Sequence, residues 1–253
     1  MAKGNSEKHE LSYNPSHYTV MANDIIKGKQ SMTLQEARLL RLVITQIAQS
    51  DNDLQTYSCR IQDLAKFLNV PANNLYRDIR EVCRGLMRLN VEVGTGSPKE
   101  PWTIWHWMSM AKYDGNGTIT LRLSNEIKQF VLDLNGWFTR YQLCDILSMK
   151  SFYSIRLYEI LKCEDNKTNC EQDYHEFTIQ QLREMLGCEK KYKQIGQLKD
   201  KVIEPAANEI SEKTDILVEV EYIKTGRPIT RVRFYIHDKP QRQQLPGQTK
   251  LDI

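Results

Sequence analysis

Residues 61–68 read IQDLAKFL and residues 179–186 read IQQLREML, two octets 118 positions apart (61 to 179) in which Ile, Gln, Leu and Leu recur in register. Ile, Leu and Leu fall on one face at helical spacing, so each octet predicts a short helix. The surroundings repeat as well. A short extended run precedes each octet, YSCR at 57–60 and HEFT at 175–178. Thr178 with Gln181 gives the second copy a capping box, in which hydroxyl and amide close the first helical turn reciprocally. Agreement between whole elements, more than four matched letters, predicts two copies of one unit.

Outward from the first octet, Thr33 and Glu36 form another capping box and open a helix. Its Leu40, Val43, Ile44 and Ile47 share one face, with Arg38, Arg41, Thr45 and Gln49 on the other. Beyond the octet, Pro71 permits a new start, and Leu75, Ile79, Val82, Leu86 and Leu89 mark a longer helix over 72–89. Val91 to Val93, the Gly94 to Pro101 loop, the Trp102 to Tyr113 run and Thr118 to Leu123 after a D-G-N-G turn read as hairpin structure. Helix, helix, helix, hairpin is the winged-helix order, and it returns: a helix over Ser151 to Cys163, the second octet, a Gly187 turn, a long helix and two strands. The expected fold is therefore α+β, two tandem winged-helix domains related by an internal repeat. Its parts are a flexible tail at 1–17, units at 18–137 and 138–239 that meet near Asn135 to Arg140, and a flexible tail at 240–253.

A groove-reading helix should carry cations and amides on its solvent face. On the first long helix Asn73 and Asn74 stand at the start, and Arg77, Arg80, Arg84 and Arg88 recur three or four apart, interrupted by Asp78 and Glu81. Arg takes guanine edges or phosphates and Asn pairs with adenine, so these six residues predict DNA contact. In the second unit the segment from residue 190 has a basic start, with Lys190, Lys191 and Tyr192 leading in and Gln194 beside Lys193, Gln197 and Lys201, which are spaced i, i+4, i+8. Pro205 removes a backbone donor and should kink or divide this helix. Between the last strands, Lys224 and Arg227 flank a turn suited to a phosphate-touching wing. Arg231 and Arg233 share an outer strand face with Glu219 and Glu221, which leaves a structural and a DNA-facing reading equally open. Trp102, Trp105 and Trp107 invite a base-stacking role, but core packing with an edge or dimer contact accounts for them more simply.

The net charge of +3 is too small to announce nucleic-acid binding by itself. No apolar run approaches the about 20 residues of a membrane helix, and the polar N-terminal stretch has no secretory core, which points to a cytoplasmic protein. Six cysteines without a C-x-x-C pair read as reduced thiols. A zinc site from Cys163, Cys170, His175 and Cys188 fits no common spacing, so no metal or other cofactor is expected. The five histidines include no His-x-His pair of the kind a nicking initiator needs, and Gly28-Lys29 lacks the rest of a phosphate-binding loop. No enzymatic site is expected.

Three passages, VMANDIIKGKQSMTLQEARLL at 20–40, SFYSIRLYEILK at 151–162 and LKDKVIEPAANEISEKTDILVEVEYIKTGRPITRVRFYI at 198–236, resemble the iteron-binding, theta-type plasmid replication initiators, a family of tandem winged-helix proteins. The resemblance implies monomers that bind directly repeated double-stranded origin sites and dimers that repress the protein's own gene. It also implies a host initiator and a replicative helicase as partners. It makes Lys193, Gln194, Gln197 and Lys201 the main major-groove segment and gives the first unit further contacts and the dimer surface. The use of Lys and Gln where some relatives carry Arg leaves the bases read by this segment undefined. A winged-helix transcription regulator without an initiation role is the alternative. The recognition helices do not separate the two.

Overall fold

The computed structural model describes residues 8–14, 16–48, 50–94, 99–165 and 173–239. In the first half β1 (Lys8–Glu10), β2 (Tyr18–Ala22), α1 (Asn23–Lys27), α2 (Leu34–Ile44), β3 (Thr56–Arg60), α3 (Ile61–Phe67) and α4 (Ala72–Arg88) lead to β4 (Asn90–Gly94), β5 (Trp102–His106), β6 (Met108–Tyr113), β7 (Thr118–Leu123) and α5 (Lys128–Val131). The second half runs β8 (Phe138–Gln142), α6 (Leu143–Ser148), α7 (Phe152–Asp165), β9 (His175–Thr178) and α8 (Ile179–Met185). It ends in α9 (Ile195–Leu198), a π-helical turn over Lys199–Ile203, α10 (Glu204–Lys213), β10 (Ile216–Lys224) and β11 (Ile229–Asp238).

Each half carries a helix-turn-helix backed by a small sheet, ordered β1-β3-β7-β6 in the first and β10-β11-β9 in the second. Both capping boxes form: Thr33 accepts from Glu36 N–H and Thr178 from Gln181 N–H, and the side chains of Glu36 and Gln181 reach back. The repeat extends beyond the octets at the same offset. Val70 N–H bonds Ala65 O at 2.9 Å, and Cys188 N–H bonds Arg183 O at 2.8 Å. Asn69 and Gly187 occupy the left-handed turn between them, at φ 52° and 63°. The two turns are one conformation, filled by the residue types that tolerate it.

Four expectations are revised. Residues before 18 are not all tail: β1 pairs in parallel with β3, and Leu11 is buried. The 1–7 and 240–253 parts of the expected tails, with Gln49 and Cys170, lie outside the described residues. The run from Trp102 to Tyr113 is two strands in two hairpins, β4–β5 and β6–β7. They part at Trp107, whose side chain is fully buried and whose backbone N–H donates to Leu89 O at 3.1 Å. Trp105 packs edge-on to Phe130 with centroids 4.9 Å apart, while Trp102 is 59% exposed. On α2, Arg38, Arg41 and Thr45 are buried instead of facing solvent, because the end of α6, helix α7 and strand β2 cover that side, bonding Arg38, Arg41 and Thr45 in turn. Finally, the last long helix begins at Ile195 and runs to Lys213 through Pro205, whose missing donor follows directly on the π turn.

The halves meet in a pattern of equivalent contacts. β2 and β8, the strands that precede α1 and α6, pair antiparallel about Val20 and Arg140. Arg41 on α2 and Glu159 on α7 stand at the repeat offset and bind each other, with Arg41 Nε and Nη2 donating to Glu159 Oε1 and Oε2 at 2.8 and 2.9 Å. Arg156 Nη1 and the Tyr141 hydroxyl also donate to this carboxylate, at 2.9 and 2.6 Å. Burial alone would raise the Glu159 carboxyl. The two guanidiniums and the phenol reverse that and hold it below the usual range. Contact between equivalent elements is what an approximate two-fold axis produces.

Candidate nucleic-acid interface

The first exposed face is built on α4. Leu75, Ile79 and Leu86 are buried, and Gly85 lets the helix approach α2 so closely that a Cβ there would stand 1.7 Å from Glu36 Oε1. That packing turns Asn73, Asn74, Arg77, Arg80, Arg84 and Arg88 to solvent, so the structure gathers all six predicted residues on one exposed helix face. Their charges are not equally available. Arg77 is held by Asp78 at 2.8 Å and Arg84 by Glu81 at 2.6 Å, whereas no acidic side chain among the described residues holds Arg80 or Arg88. Tyr76 lies over the tip of the β6–β7 hairpin, where a Cβ on Gly117 would meet its hydroxyl at 2.8 Å. Helix and wing are thereby tied together.

In the second half the repeat breaks after Cys188. Where the offset would start a helix near residue 190, the chain forms a loop through residue 194. Arg183 shapes it: its guanidinium donates to Lys191 O at 3.0 Å and Lys193 O at 3.1 Å, holding the loop backbone from the inside. Tyr192 has φ 51° and its ring packs edge-on to Tyr153 at 6.0 Å, so it faces the protein and serves the loop's conformation. With the carbonyls and Tyr192 directed inward, Lys190, Lys191, Lys193 and Gln194 are exposed, followed by Gln197 on α9 and Lys201 on the π turn. These residues are neighbours in the chain, but Lys193 precedes the helix and Lys201 follows a change of pitch. The expected i, i+4, i+8 stripe on one regular helix does not form.

The second wing is the β10–β11 turn, where Gly226 has φ 71° and Thr225 N–H bonds Pro228 O at 3.1 Å. Lys224 and Arg227 are exposed beside it. Arg231 and Arg233 have structural work instead, since Glu176 accepts from them at 2.9 and 2.8 Å and Arg233 lies 4.3 Å from the Tyr174 ring centroid. Both guanidiniums hold the Glu176 carboxyl below the usual range, Arg233 the more strongly.

Arg183, which holds the loop before α9, is the residue that sequence reasoning missed, and a signal for it existed. At the repeat offset it matches Ala65, which is buried against the first core, so an arginine there has to find its partners inside. Three of the cysteine thiols are poor nucleophiles. Burial pushes Cys59 up to about 12 and Cys83 and Cys188 to about 11. Among the described residues no three His, Cys, Asp or Glu side chains are grouped to hold a metal ion, and no helix is long and apolar enough to cross a membrane.

Comparison with known proteins agrees with this architecture. Residues 18–162 match the family model described as Initiator Replication protein, WH1, and residues 178–236 match that described as Initiator Rep protein, WH2. A curated replication initiation protein of Escherichia coli is 24% identical over 219 residues, covering 85% of this chain and 68% of its own. An uncharacterized 27.6 kDa protein of Escherichia coli is 22% identical, covering 81% and 90%. Among solved structures, the Pi initiator protein in complex with iteron DNA superposes with a TM-score of 0.72 at 19% identity, covering 90% of this chain and all of that one. The two-winged-helix fold is shared.

Proposed function

Because this chain belongs to the initiator replication protein family, we propose that it starts plasmid replication by binding repeated double-stranded sites, iterons, at the origin with both of its helix-turn-helix units. The observation that carries this reading is the presence of two exposed basic faces in one chain whose halves are joined by the β2–β8 pairing and the Arg41–Glu159 ion pair, one face on α4 and one on the 190–201 segment with its wing. Asn73, Asn74 and the arginines of α4 meet one major groove, with Arg80 and Arg88, which no acidic side chain among the described residues holds, meeting phosphate. Lys193, Gln194, Gln197 and Lys201 read the other, while Lys190, Lys191, Lys224 and Arg227 bind backbone phosphate. Tyr192 contributes by setting the loop. The relative solved with iteron DNA supports the same mode.

A monomer reads the directly repeated sites, and a dimer represses the protein's own gene. The β4–β5 arm supports the dimer: Trp102 and Ile104 on it are 59% and 46% exposed, beside Met87 of α4 at 37%. Such a patch suits a protein surface better than water. Host initiator and helicase are recruited to this complex in the cytoplasm, and the chain performs no bond-breaking step of its own. The test is footprinting on the DNA that flanks its gene. Protection of a cluster of direct repeats, with supercoiled plasmid left uncut in Mg²⁺, is expected. Equal affinity for those repeats and for scrambled duplex would overturn the reading.

A further inference from the structure

Arg38 and Arg156 stand at the repeat offset on the equivalent helices α2 and α7, and both are buried. Their hydrogen bonds are equivalent too. Arg38 donates to Leu68 O at 3.0 Å, at the end of its own unit's α3, and to Met149 O at 2.7 Å, the cap that ends α6 of the other unit. Arg156 donates to Met185 O at 3.2 Å, the end of its own unit's α8, and to Ile26 O and Gly28 O at 2.6 and 3.0 Å, the end of α1 of the other unit. Each guanidinium thus joins the C-terminal carbonyls of two helices, one from each half, where a cation is favoured and those carbonyls have no intrahelical donor.

The helices so joined lead directly to the DNA faces. Gly28 and Lys29 pack on β4, with Lys29 N–H bonding Glu92 O at 2.8 Å, and β4 continues directly from α4. On the other side α8 ends in Gly187, which sits so close to the Gln30 carbonyl that a Cβ would stand 2.2 Å from its oxygen. Arg183 of the same helix shapes the basic loop. An ion pair between Lys29 and Glu189 closes the seam at the surface.

We infer that Arg38 and Arg156 are positioning residues that fix the distance and rotation between the two recognition elements, and so set the spacing of half-sites within one DNA repeat. The inference rests on the reading that both units engage DNA. Inserting one base pair moves a half-site by about 3.4 Å and turns it by about 35°, a change that a rigid junction cannot follow.

The test uses the full-length protein and duplexes carrying one footprinted repeat with the interval between half-sites unchanged, or altered by one or two base pairs either way. Wild type should lose tenfold or more in affinity at each altered interval. Arg156→Gln and Arg38→Gln should lose less than threefold across the series, with affinity for the second half-site alone unchanged and Arg156→Lys intermediate. A sharp optimum in wild type that persists in both Gln variants overturns the inference alone. A wild type that tolerates every interval overturns the two-unit reading, and the inference with it. If either Gln variant fails to fold, Lys29→Glu, which sets like charges against Glu189 at the surface of the same seam, takes its place and should flatten the same profile. A profile as sharp as wild type then counts against the inference.

Discussion

Replacing Glu159 by Gln changes little in shape and a great deal in electrostatics. The carboxylate accepts from Arg41 Nε and Nη2, Arg156 Nη1 and the Tyr141 hydroxyl, and Arg41, Arg156 and Glu159 are all fully buried. A carboxamide offers one acceptor oxygen and turns N–H groups toward a guanidinium, leaving two buried cations with no anion. Loss of one partner from a buried pair costs about 3–5 kcal/mol, against a typical total stability of about 5–15 kcal/mol. Urea unfolding followed by circular dichroism should show the midpoint falling by that equivalent with an unchanged m-value. In an Arg41→Gln background the same substitution should cost less, because only Arg156 is then left without its anion.

The pH dependence gives a second reading of the same group. Since the folded carboxyl lies below its unfolded value of about 4.3, its contribution is fully present above that value and is lost as pH falls through the folded one. The gap between wild type and Glu159→Gln should be flat from pH 8 to about pH 5 and should narrow below. A variant within about 1 kcal/mol of wild type at pH 7 would refute the claim that this charge holds the junction.

Three further outcomes are expected. Lys193→Ala with Lys201→Ala should weaken binding to the cognate repeat by about 1–3 kcal/mol for each base pairing lost, measured by fluorescence anisotropy with the fold checked by circular dichroism. Unchanged affinity contradicts the role given to the loop and π turn. Arg88→Ala should lower the slope of log affinity against log salt by about one, and Arg77→Ala by less, because Asp78 already holds Arg77; equal slopes would deny the distinction. Gly187→Ala should destabilise by about 1–3 kcal/mol from its left-handed backbone and the Gln30 carbonyl, whereas Asn69→Gly at the equivalent turn should cost nothing or stabilise by up to about 1 kcal/mol.

The parts legible in the sequence are those decided locally. Both capping boxes, α3, α8 and the wings follow from residues within a turn or two of one another. The parts that were not legible are decided by distant groups. The basic stretch from Lys190 contains good helix formers, and the later Ile195, Leu198 and Val202 periodicity reads smoothly backward into it. What stops the helix is Arg183 bonding its carbonyls and Tyr192 docking on Tyr153. Arg41 looks like a surface residue on an amphipathic helix because its partner lies in the other half of the chain. The Trp102 to Tyr113 run has no break in β propensity, and its division at Trp107 comes from burial of that ring.

The charges at the centre of the two-fold-like junction also decide which surfaces can meet when two chains collide. Arg41 and Glu159 occupy matching places on matching helices with opposite sign. Were the first half of one molecule to dock by this face on the first half of another, two guanidiniums would confront each other in a dry interface; two second halves would bring two carboxylates together. Either mispairing carries a penalty of several kcal/mol, while the mixed pairing is satisfied. The one intermolecular use of this face that its charges permit is a reciprocal exchange, in which each chain lends a half to the other and both junctions re-form intact. The seam's charges therefore select against every self-association at this face except that exchange.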